Sequence, residues 1–141
     1  MHLCYTPMIY SGRFVADAAY RSEAFQTCAD DRPLVAHFCG NDAHILLQAA
    51  KLVENDCDAI DLNLGCPQRI AYSGQFGSYL LQQEEHHRVE KIVRTLSKNL
   101  SIPVFCKIRL LDDIEDTISK FIVKDGVIIW YSFWLEVLIC K

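Results

Sequence analysis

Near its centre the chain reads Ala59-Ile60-Asp61-Leu62-Asn63-Leu64-Gly65-Cys66-Pro67. The apolar run before Gly65 has the length of one buried strand, and the Gly65-Cys66-Pro67 turn ends it. Pro67 fixes its own φ and favours an extended conformation at Cys66. The pattern therefore predicts a strand that delivers Asn63 and then presents the Cys66 thiol at a defined place. A buried structural cysteine at a tight turn is the alternative that the spacing leaves open.

Strands and helices alternate on both sides of this stretch. Short apolar runs at 3–9, 34–39 and 104–110 are typical of strands, and Gly or Pro stands beside each run. Apolar residues at helical spacing predict helices over 13–27, 43–55, 79–98 and 112–124, the second of them N-capped by Asp42. This βαβ order is typical of a parallel sheet that is buried on both faces.

Groups suited to chemistry stand where these strands end. They are Thr6 and Met8, His37, Asn63 and Cys66, and Lys107 and Arg109. Active sites of (β/α)8 barrels are assembled from successive strand ends. A doubly wound sheet also fits the rhythm, but its usual Gly-rich phosphate loop after the first strand is missing from the sequence. We therefore predict a partial (β/α)8 TIM barrel of about four βα units, because a complete barrel needs about 250 residues and this chain has 141.

The last residues depart from this rhythm. We divide the chain into a partial barrel at 1–124 and a divergent apolar tail at 125–141, and predict that the tail is not barrel sequence. The apolar run at 127–140, interrupted by Glu136, is shorter than the roughly 20 residues of a membrane-spanning helix, so no membrane span is expected. An exposed apolar tail and open sheet edges predict self-association.

Composition narrows the function classes. The formal net charge is -4 with both signs interspersed, which argues against a large basic surface for nucleic acid. The seven cysteines form no C-x-x-C pair and stand beside no histidine cluster, so neither a metal site nor a disulfide scaffold is predicted. A cysteine-rich chain without paired spacing suits a reducing compartment, and we expect a cytoplasmic or nuclear location.

Four further stretches stand in order around Asn63-Leu64-Gly65-Cys66-Pro67. They are Cys4-Tyr5-Thr6-Pro7-Met8, the run from Arg32 to Asp42, Cys57-Asp58-Ala59-Ile60-Asp61-Leu62, and Pro103-Val104-Phe105-Cys106-Lys107-Ile108-Arg109. With these motifs the chain resembles the tRNA-dihydrouridine synthases, and most of all the eukaryotic 16/17-type branch that modifies neighbouring uridines in the tRNA D-loop. The resemblance covers roughly residues 3–120.

The resemblance implies a TIM barrel, FMN as cofactor, NAD(P)H as reductant and tRNA as substrate. Reduced flavin gives a hydride to C6 of a uracil in this family, and by position Cys66 supplies the proton to C5. A protonated thiol is a reasonable general acid for that step. Asn63 would lie beside the flavin or the base, where an amide can bind a pyrimidine edge.

Three further residues carry the implied flavin site. Lys107 matches the family lysine that contacts the flavin, where a cation stabilises the anionic reduced ring. Arg109, two residues on, would assist with phosphate or remain an exposed charge. His37 stands where the family usually has a glutamine that hydrogen-bonds the flavin. The alternatives are a solvent-facing lysine at 107 and a satisfied structural histidine at 37.

The chain also departs from the family pattern. The family's first strand precedes its start, and the resemblance ends near Lys120, before the later strands that bind the flavin phosphate and before the helical RNA-binding domain. Three functions follow from these observations. They are an FMN-dependent tRNA-uridine reductase, a non-catalytic remnant of that family, and another FMN-dependent barrel reductase acting on a free pyrimidine.

Overall fold

The computed structural model of the chain describes residues 3–108 and 128–131. Within these residues six strands form one sheet: β1 (Cys4–Tyr5), β2 (Ile9–Tyr10), β3 (Leu34–Cys39), β4 (Ala59–Leu64), β5 (Val104–Ile108) and β6 (Ile128–Tyr131). The α-helices are α1 (Ser11–Ala16), α2 (Ala18–Ala24), α3 (Ala43–Lys51), α4 (Arg69–Ser73) and α5 (His86–Asn99). Short 3₁₀ helices cover Ala29–Asp31, Gly77–Leu81 and Gln83–Glu85.

The strand order distinguishes a barrel from a doubly wound sheet. The strands lie in the order β1-β3-β4-β5-β6, β2 also pairs with β3, and every pairing is parallel. A doubly wound sheet reverses its strand order at a switch point, whereas here β3, β4, β5 and β6 neighbour one another in chain order. The predicted partial (β/α)8 barrel is confirmed.

β1 and β2 together form one interrupted edge strand. Both pair with β3, β1 at Leu34 and Val35 and β2 at Phe38 and Cys39. Pro7 lies between them and has no N–H to donate to the ladder. The hydroxyl of Thr6 accepts the backbone N–H of His37 at 2.9 Å, which satisfies the β3 donor opposite the interruption.

Side chains of β3, β4 and β5 alternate between two environments. The helix-facing side holds the main core, in which strand residues such as Phe38, Leu62 and Cys106 pack with apolar residues of α3 and α5. On the other side Val35, Ala59 and Phe105 form a separate small cluster. Because side chains alternate along a strand, His37, Asp61, Asn63 and Lys107 share the side of that small cluster, which is the interior side of the barrel.

The helices follow the sequence prediction in place but not always in length. Asp42 caps α3 by accepting the backbone N–H groups of His44 and Ile45, both at 2.9 Å, which confirms the predicted N-cap. The single helix predicted at 13–27 is two helices, because the Asp17 side chain caps α2 by accepting the N–H of Tyr20. The helix predicted from residue 79 begins as 3₁₀ turns and becomes α-helical at His86.

Four residues of the predicted tail lie in the sheet. Ile128–Tyr131 pairs in parallel with β5, with Phe105 opposite Ile128 and Ile108 opposite Tyr131, at the position that a following barrel strand would occupy. The predicted helix at 112–124 lies outside the described residues, and the tail's origin outside the family sequence stays a prediction. Across 3–108 and 128–131 the helices are too short or too polar to cross a bilayer.

Candidate active site

Four polar side chains meet on the interior side of β3, β4 and β5. His37 of β3 and Asp61 and Asn63 of β4 are all buried, although the strands around them are almost wholly apolar. Asn63 lies in register with Lys107 of β5. The parallel sheet therefore brings together His37, Asn63 and Lys107, three of the residues that the sequence predicts for the site.

A hydrogen-bonded chain joins Asp61, His37 and Asn63. Nδ1 of His37 lies 2.5 Å from Oδ2 of Asp61, and Nε2 lies 2.9 Å from the amide nitrogen of Asn63. Both ring nitrogens of His37 are thus engaged by neighbouring side chains. The sequence leaves open whether residue 37 binds flavin or is a satisfied histidine, and this geometry favours the second.

The other end of Asn63 holds the turn that carries Cys66. Oδ1 of Asn63 accepts the backbone N–H of Gly65 and that of Cys66, both at 3.0 Å. These two bonds take the place of the sheet hydrogen bonds, which stop at the end of β4. They also fix the direction in which the chain leaves the strand. The amide of Asn63 therefore positions Cys66 directly.

Gly77 and Ser78 hold Cys66 from the opposite side. The Cys66 carbonyl oxygen accepts two hydrogen bonds from Ser78, one from the Ser78 backbone N–H at 3.0 Å and one from the Ser78 hydroxyl at 2.8 Å. Gly77 has φ +63, and a Cβ placed there would lie 2.8 Å from the Cys66 carbonyl oxygen and 2.9 Å from its Cβ. Only glycine allows both this left-handed conformation and this close approach. The backbone of Cys66 is thereby fixed on both sides.

The thiol of Cys66 is half-buried and free. It packs against a small buried cluster of Cys39, Ala71 and Phe76. Burial, followed by the proximity of Cys66, raises the pKa of the Cys39 thiol to about 12, and burial raises the pKa of Cys57 to about 11. Cys39 and Cys57 are therefore held as inert thiols, whereas Cys66 is accessible and stands at the carboxyl edge of the sheet.

Lys107 and Asp61 supply the charges of the site. Within the described part of the chain no hydrogen bond or ion pair engages the Lys107 ammonium, which is partly exposed. Burial raises the pKa of Asp61, and the hydrogen bond from His37 and the charge of Lys107 oppose that shift. Asp61 Oδ1 is fully buried and forms no hydrogen bond to the described residues.

An apolar cleft of about 530 Å³ opens beside the Cys66 turn. It lies between β2, α1, α2 and the segment that follows Cys66, and its walls include Met8, Tyr10, Cys39, Gly74 and Phe76. The rings of Tyr10 and Phe76 lie 5.7 Å apart between centroids. Such a cleft has the size and the aromatic lining of a site for a planar heterocycle.

One predicted site residue cannot be placed, and three residues of the observed site were not predicted. Arg109 lies outside the described residues, so its predicted role stays a prediction. The sequence does not predict the contributions of Asp61, Gly77 and Ser78. A lone carboxylate in the apolar run 59–64 is the one signal for Asp61, whereas Gly77 and Ser78 lie too far along the chain from Cys66 for any local pattern.

Comparison with known families identifies the class of protein. The family model for the dihydrouridine synthases (Dus) matches residues 1–125, and the chain belongs to this family. The rat "tRNA-dihydrouridine(16/17) synthase-like" protein is 48% identical over 118 residues, which are 82% of this chain and 26% of the rat protein. The tRNA-dihydrouridine(16/17) synthase of Saccharomyces cerevisiae is 48% identical over 120 residues, 83% of this chain and 28% of its own. Both names include NAD(P)(+).

A human relative belongs to another branch of the family. The human "tRNA-dihydrouridine(20a/20b) synthase-like" protein is 38% identical over 120 residues, which are 83% of this chain and 37% of the human protein. The higher identity to the 16/17 synthases agrees with the branch that the sequence motifs indicate. The names of the rat, yeast and human relatives all contain tRNA rather than a free pyrimidine. The chain spans between 26% and 37% of the length of these relatives.

Proposed function

We propose that this chain carries the flavin- and thiol-bearing part of a tRNA-dihydrouridine(16/17) synthase, which reduces uridine to dihydrouridine in the tRNA D-loop with FMN and NAD(P)H. The observation that carries the proposal is the fixed Cys66 turn, which stands at the same sheet edge as Asn63 and Lys107. Relatives at 46–48% identity bear the name of that enzyme, which supports the same reading.

The side chains present suit the pyrimidine edge of a flavin. Lys107 offers an ammonium on the interior side of β5 that none of the described residues engages, and the amide nitrogen of Asn63 has a second hydrogen beyond the one it gives to His37. A cation near the ring stabilises the reduced, anionic flavin. When bound, FMN reduced by NAD(P)H would supply a hydride to C6 of the uracil. His37, with both ring nitrogens engaged, would support this site through Asn63 rather than bind the flavin itself.

Cys66 would act as the proton donor. Its thiol proton would pass to C5 of the uracil, and the resulting thiolate would regain a proton from water. The bonds from Asn63 and Ser78 hold its main chain, so the donor would be placed without further rearrangement. The aromatic cleft beside the turn is wide enough for a base that has left its stack, which supports uridine in RNA as the substrate class.

The test begins with the complete chain and FMN. We expect purified chain to quench the fluorescence of added FMN to a saturating, stoichiometric end point, and to release FMN on denaturation. Lumiflavin, which lacks the ribityl phosphate, serves as the matched ligand that reports binding of the ring alone. A chain that binds neither compound would be the non-catalytic remnant, and the proposal would then be wrong.

We also propose self-association through the open edges of the sheet. In the described residues β1 and β2 form one edge and β6 the other, and parallel edge strands left unpaired favour pairing with a second copy. Size-exclusion chromatography with light scattering tests this proposal. We expect a dimer or larger species, and a monodisperse monomer at micromolar concentration would contradict it.

A cytoplasmic or nuclear location completes the proposal. Six cysteines in the described residues are free, which suits a reducing compartment. Fractionation of cells that express a tagged chain would test the location, and recovery in a secreted or oxidising compartment would contradict it.

A further inference from the structure

The hydrogen bonds at the Cys66 turn determine which nitrogen of the His37 ring carries a proton. They first fix the orientation of the Asn63 amide, and the amide then fixes the state of the ring. Two backbone N–H groups, of Gly65 and Cys66, point at one end of the Asn63 side chain at 3.0 Å each, so that end is the carbonyl oxygen. The amide nitrogen therefore faces His37 and donates to Nε2 at 2.9 Å. Nε2 must then carry a lone pair rather than a proton.

The same reasoning assigns the remaining proton. A neutral imidazole with a bare Nε2 carries its hydrogen on Nδ1, and that hydrogen is donated to Oδ2 of Asp61 at 2.5 Å. This assignment holds whether or not Asp61 is ionised, because a proton on its carboxyl group can stand on Oδ1, which has no partner in the described residues. The backbone N–H of His37 is engaged separately by Thr6, so the ring is held in place from its own strand.

An imidazole in any other state would disturb the turn. A proton on Nε2 would face the hydrogens of the Asn63 amide, and the amide could relieve the clash only by turning over. Turned over, its NH₂ group would face the N–H groups of Gly65 and Cys66, and both bonds to the turn would be lost. The hydrogen-bond acceptor at residue 37 thus controls the anchor of Cys66, although no contact between the two residues is needed.

We propose that His37 is a positioning residue for Cys66, acting as a neutral, Nδ1-protonated imidazole that orients the Asn63 amide and thereby anchors the Gly65–Cys66 turn. The catalytic reason for positioning Cys66 rests on the proposed function. The geometry that positions Cys66, however, needs neither flavin nor RNA, so it can be tested in the unliganded chain.

The first test uses the reactivity of the Cys66 thiol to measure how firmly the Gly65–Cys66 turn is held. The rate of Cys66 alkylation by iodoacetamide is followed by peptide mass spectrometry, with exposed Cys28 as the internal control. His37→Leu keeps bulk but removes both the acceptor and the donor, and we expect alkylation of Cys66 to accelerate roughly fivefold, as the loss of one such bond implies. Continued protection of Cys39, Cys57 and Cys106 establishes that the variant is folded, since these three thiols are buried.

The second variant separates positioning from simple packing. His37→Gln supplies an amide oxygen to accept from Asn63 and an amide N–H to donate to Asp61, and we expect it to restore the wild-type alkylation rate. If His37→Gln reacts as fast as His37→Leu, or if His37→Leu reacts like wild type, the positioning role is contradicted.

The third measurement uses the unaltered chain and needs no variant. Two-bond ¹H–¹⁵N spectra of the histidine rings distinguish the two neutral tautomers and the imidazolium. We expect His37 to be protonated on Nδ1 alone at neutral pH, and a ring protonated on Nε2 would overturn the proposal. Absence of FMN binding or of tRNA reduction would contradict the proposed function but leave all three of these results unchanged.

Discussion

Asn63 accepts the backbone N–H of Cys66 through its side-chain oxygen, at 3.0 Å. The strand that buries Asn63 therefore also determines where the thiol stands, three residues later. Ser78 completes the arrangement by donating twice to the Cys66 carbonyl, so the position of the thiol depends on one local and one distant segment of the chain. Both segments, and the charges around them, can be tested by substitution.

Gly77→Ala tests the distant segment. Gly77 has φ +63, and an added Cβ would lie 2.8 Å from the Cys66 carbonyl oxygen, so the variant must strain its backbone and displace the turn. We expect the free energy of unfolding to fall by about 1–2 kcal/mol or more and alkylation of Cys66 to change. Chemical denaturation measures the first quantity and peptide mass spectrometry the second.

Gly12→Ala is the control for that substitution. Gly12 lies within α1, and the atoms nearest to its added Cβ would be those of the flexible Tyr10 ring, the first at 3.3 Å. Alanine also favours a helix over glycine, so we expect little loss of stability. Equal destabilisation by both variants would mean that the contact with Cys66 is not what makes Gly77 necessary.

Lys107→Met tests the charge beside the proposed flavin site. Removal of the ammonium takes away the cation that would face the reduced ring, so we expect FMN to bind more weakly and its reduction potential to fall. Lys107→Arg keeps the charge and should retain much of both. Fluorescence titration measures the affinity and spectroelectrochemistry the potential.

The control for Lys107 is Lys98→Met, at the exposed end of α5. We expect this variant to bind FMN like the unaltered chain. If Lys107→Met also binds FMN with unchanged affinity and potential, Lys107 is a structural lysine at a strand end, and its assignment to the cofactor is wrong.

Asp61→Asn tests the buried carboxylate through the pH dependence of stability. Burial raises the pKa of Asp61 above its ordinary value of 3.8, so the folded chain binds this proton more tightly than the unfolded chain does. Stability contributed by the protonated acid is full below pH 3.8 and is lost as pH rises through the raised pKa. The stability of wild type relative to Asp61→Asn should therefore decrease as pH rises across that window.

Denaturation curves at a series of pH values measure this difference. Asparagine keeps an oxygen that can accept from His37 Nδ1, so the hydrogen-bonded chain is preserved in the comparison. A difference that stays constant with pH, or that increases as pH rises, would show that Asp61 is not destabilised by its burial.

Asp42→Ala tests the cap of α3. Asp42 accepts two backbone N–H groups at the start of the helix, and these bonds, with that from Ile45 first, lower its pKa. We expect the free energy of unfolding to fall by about 1 kcal/mol, whereas Asp42→Asn, another good cap, should lose much less. Thermal or chemical denaturation measures the free energy of unfolding of each variant. An equal loss of stability in Asp42→Ala and Asp42→Asn would contradict the role of Asp42 as the cap of α3.

The sequence predicts the parts of the fold that depend on local pattern. The apolar runs at 34–39 and 59–64 coincide with β3 and β4, and Asp42 caps α3, because burial on both faces and capping leave clear local signatures. The division of the first helix at Asp17 is less visible, since the same residue type that caps α2 is also tolerated within a helix.

The sequence picks out His37, Asn63 and Lys107, which the structure places on one side of the sheet, but it does not predict the contacts that these residues make. Strand alternation explains why Asn63 and Lys107 share a face. The partner of His37 could not be read in the same way, because a contact between β3 and β4 depends on the register of two strands. The contact of Gly77 with Cys66 depends on the segment between them folding back onto Cys66, and no periodic pattern in the sequence encodes such a return.

Formation of dihydrouridine tests whether the Cys66 site carries out the proposed reaction. Unmodified tRNA is incubated with the complete chain, FMN and NADPH, and the D-loop fragments are examined by mass spectrometry for the gain of two hydrogens. We predict dihydrouridine at the 16/17 positions with wild type and a loss of about 10²–10⁴-fold in rate with Cys66→Ala, because a positioned general acid contributes that much. Equal product with the two proteins would mean that Cys66 is not the proton donor, and no product with a wild-type chain that has bound FMN would mean that the proposed function is wrong.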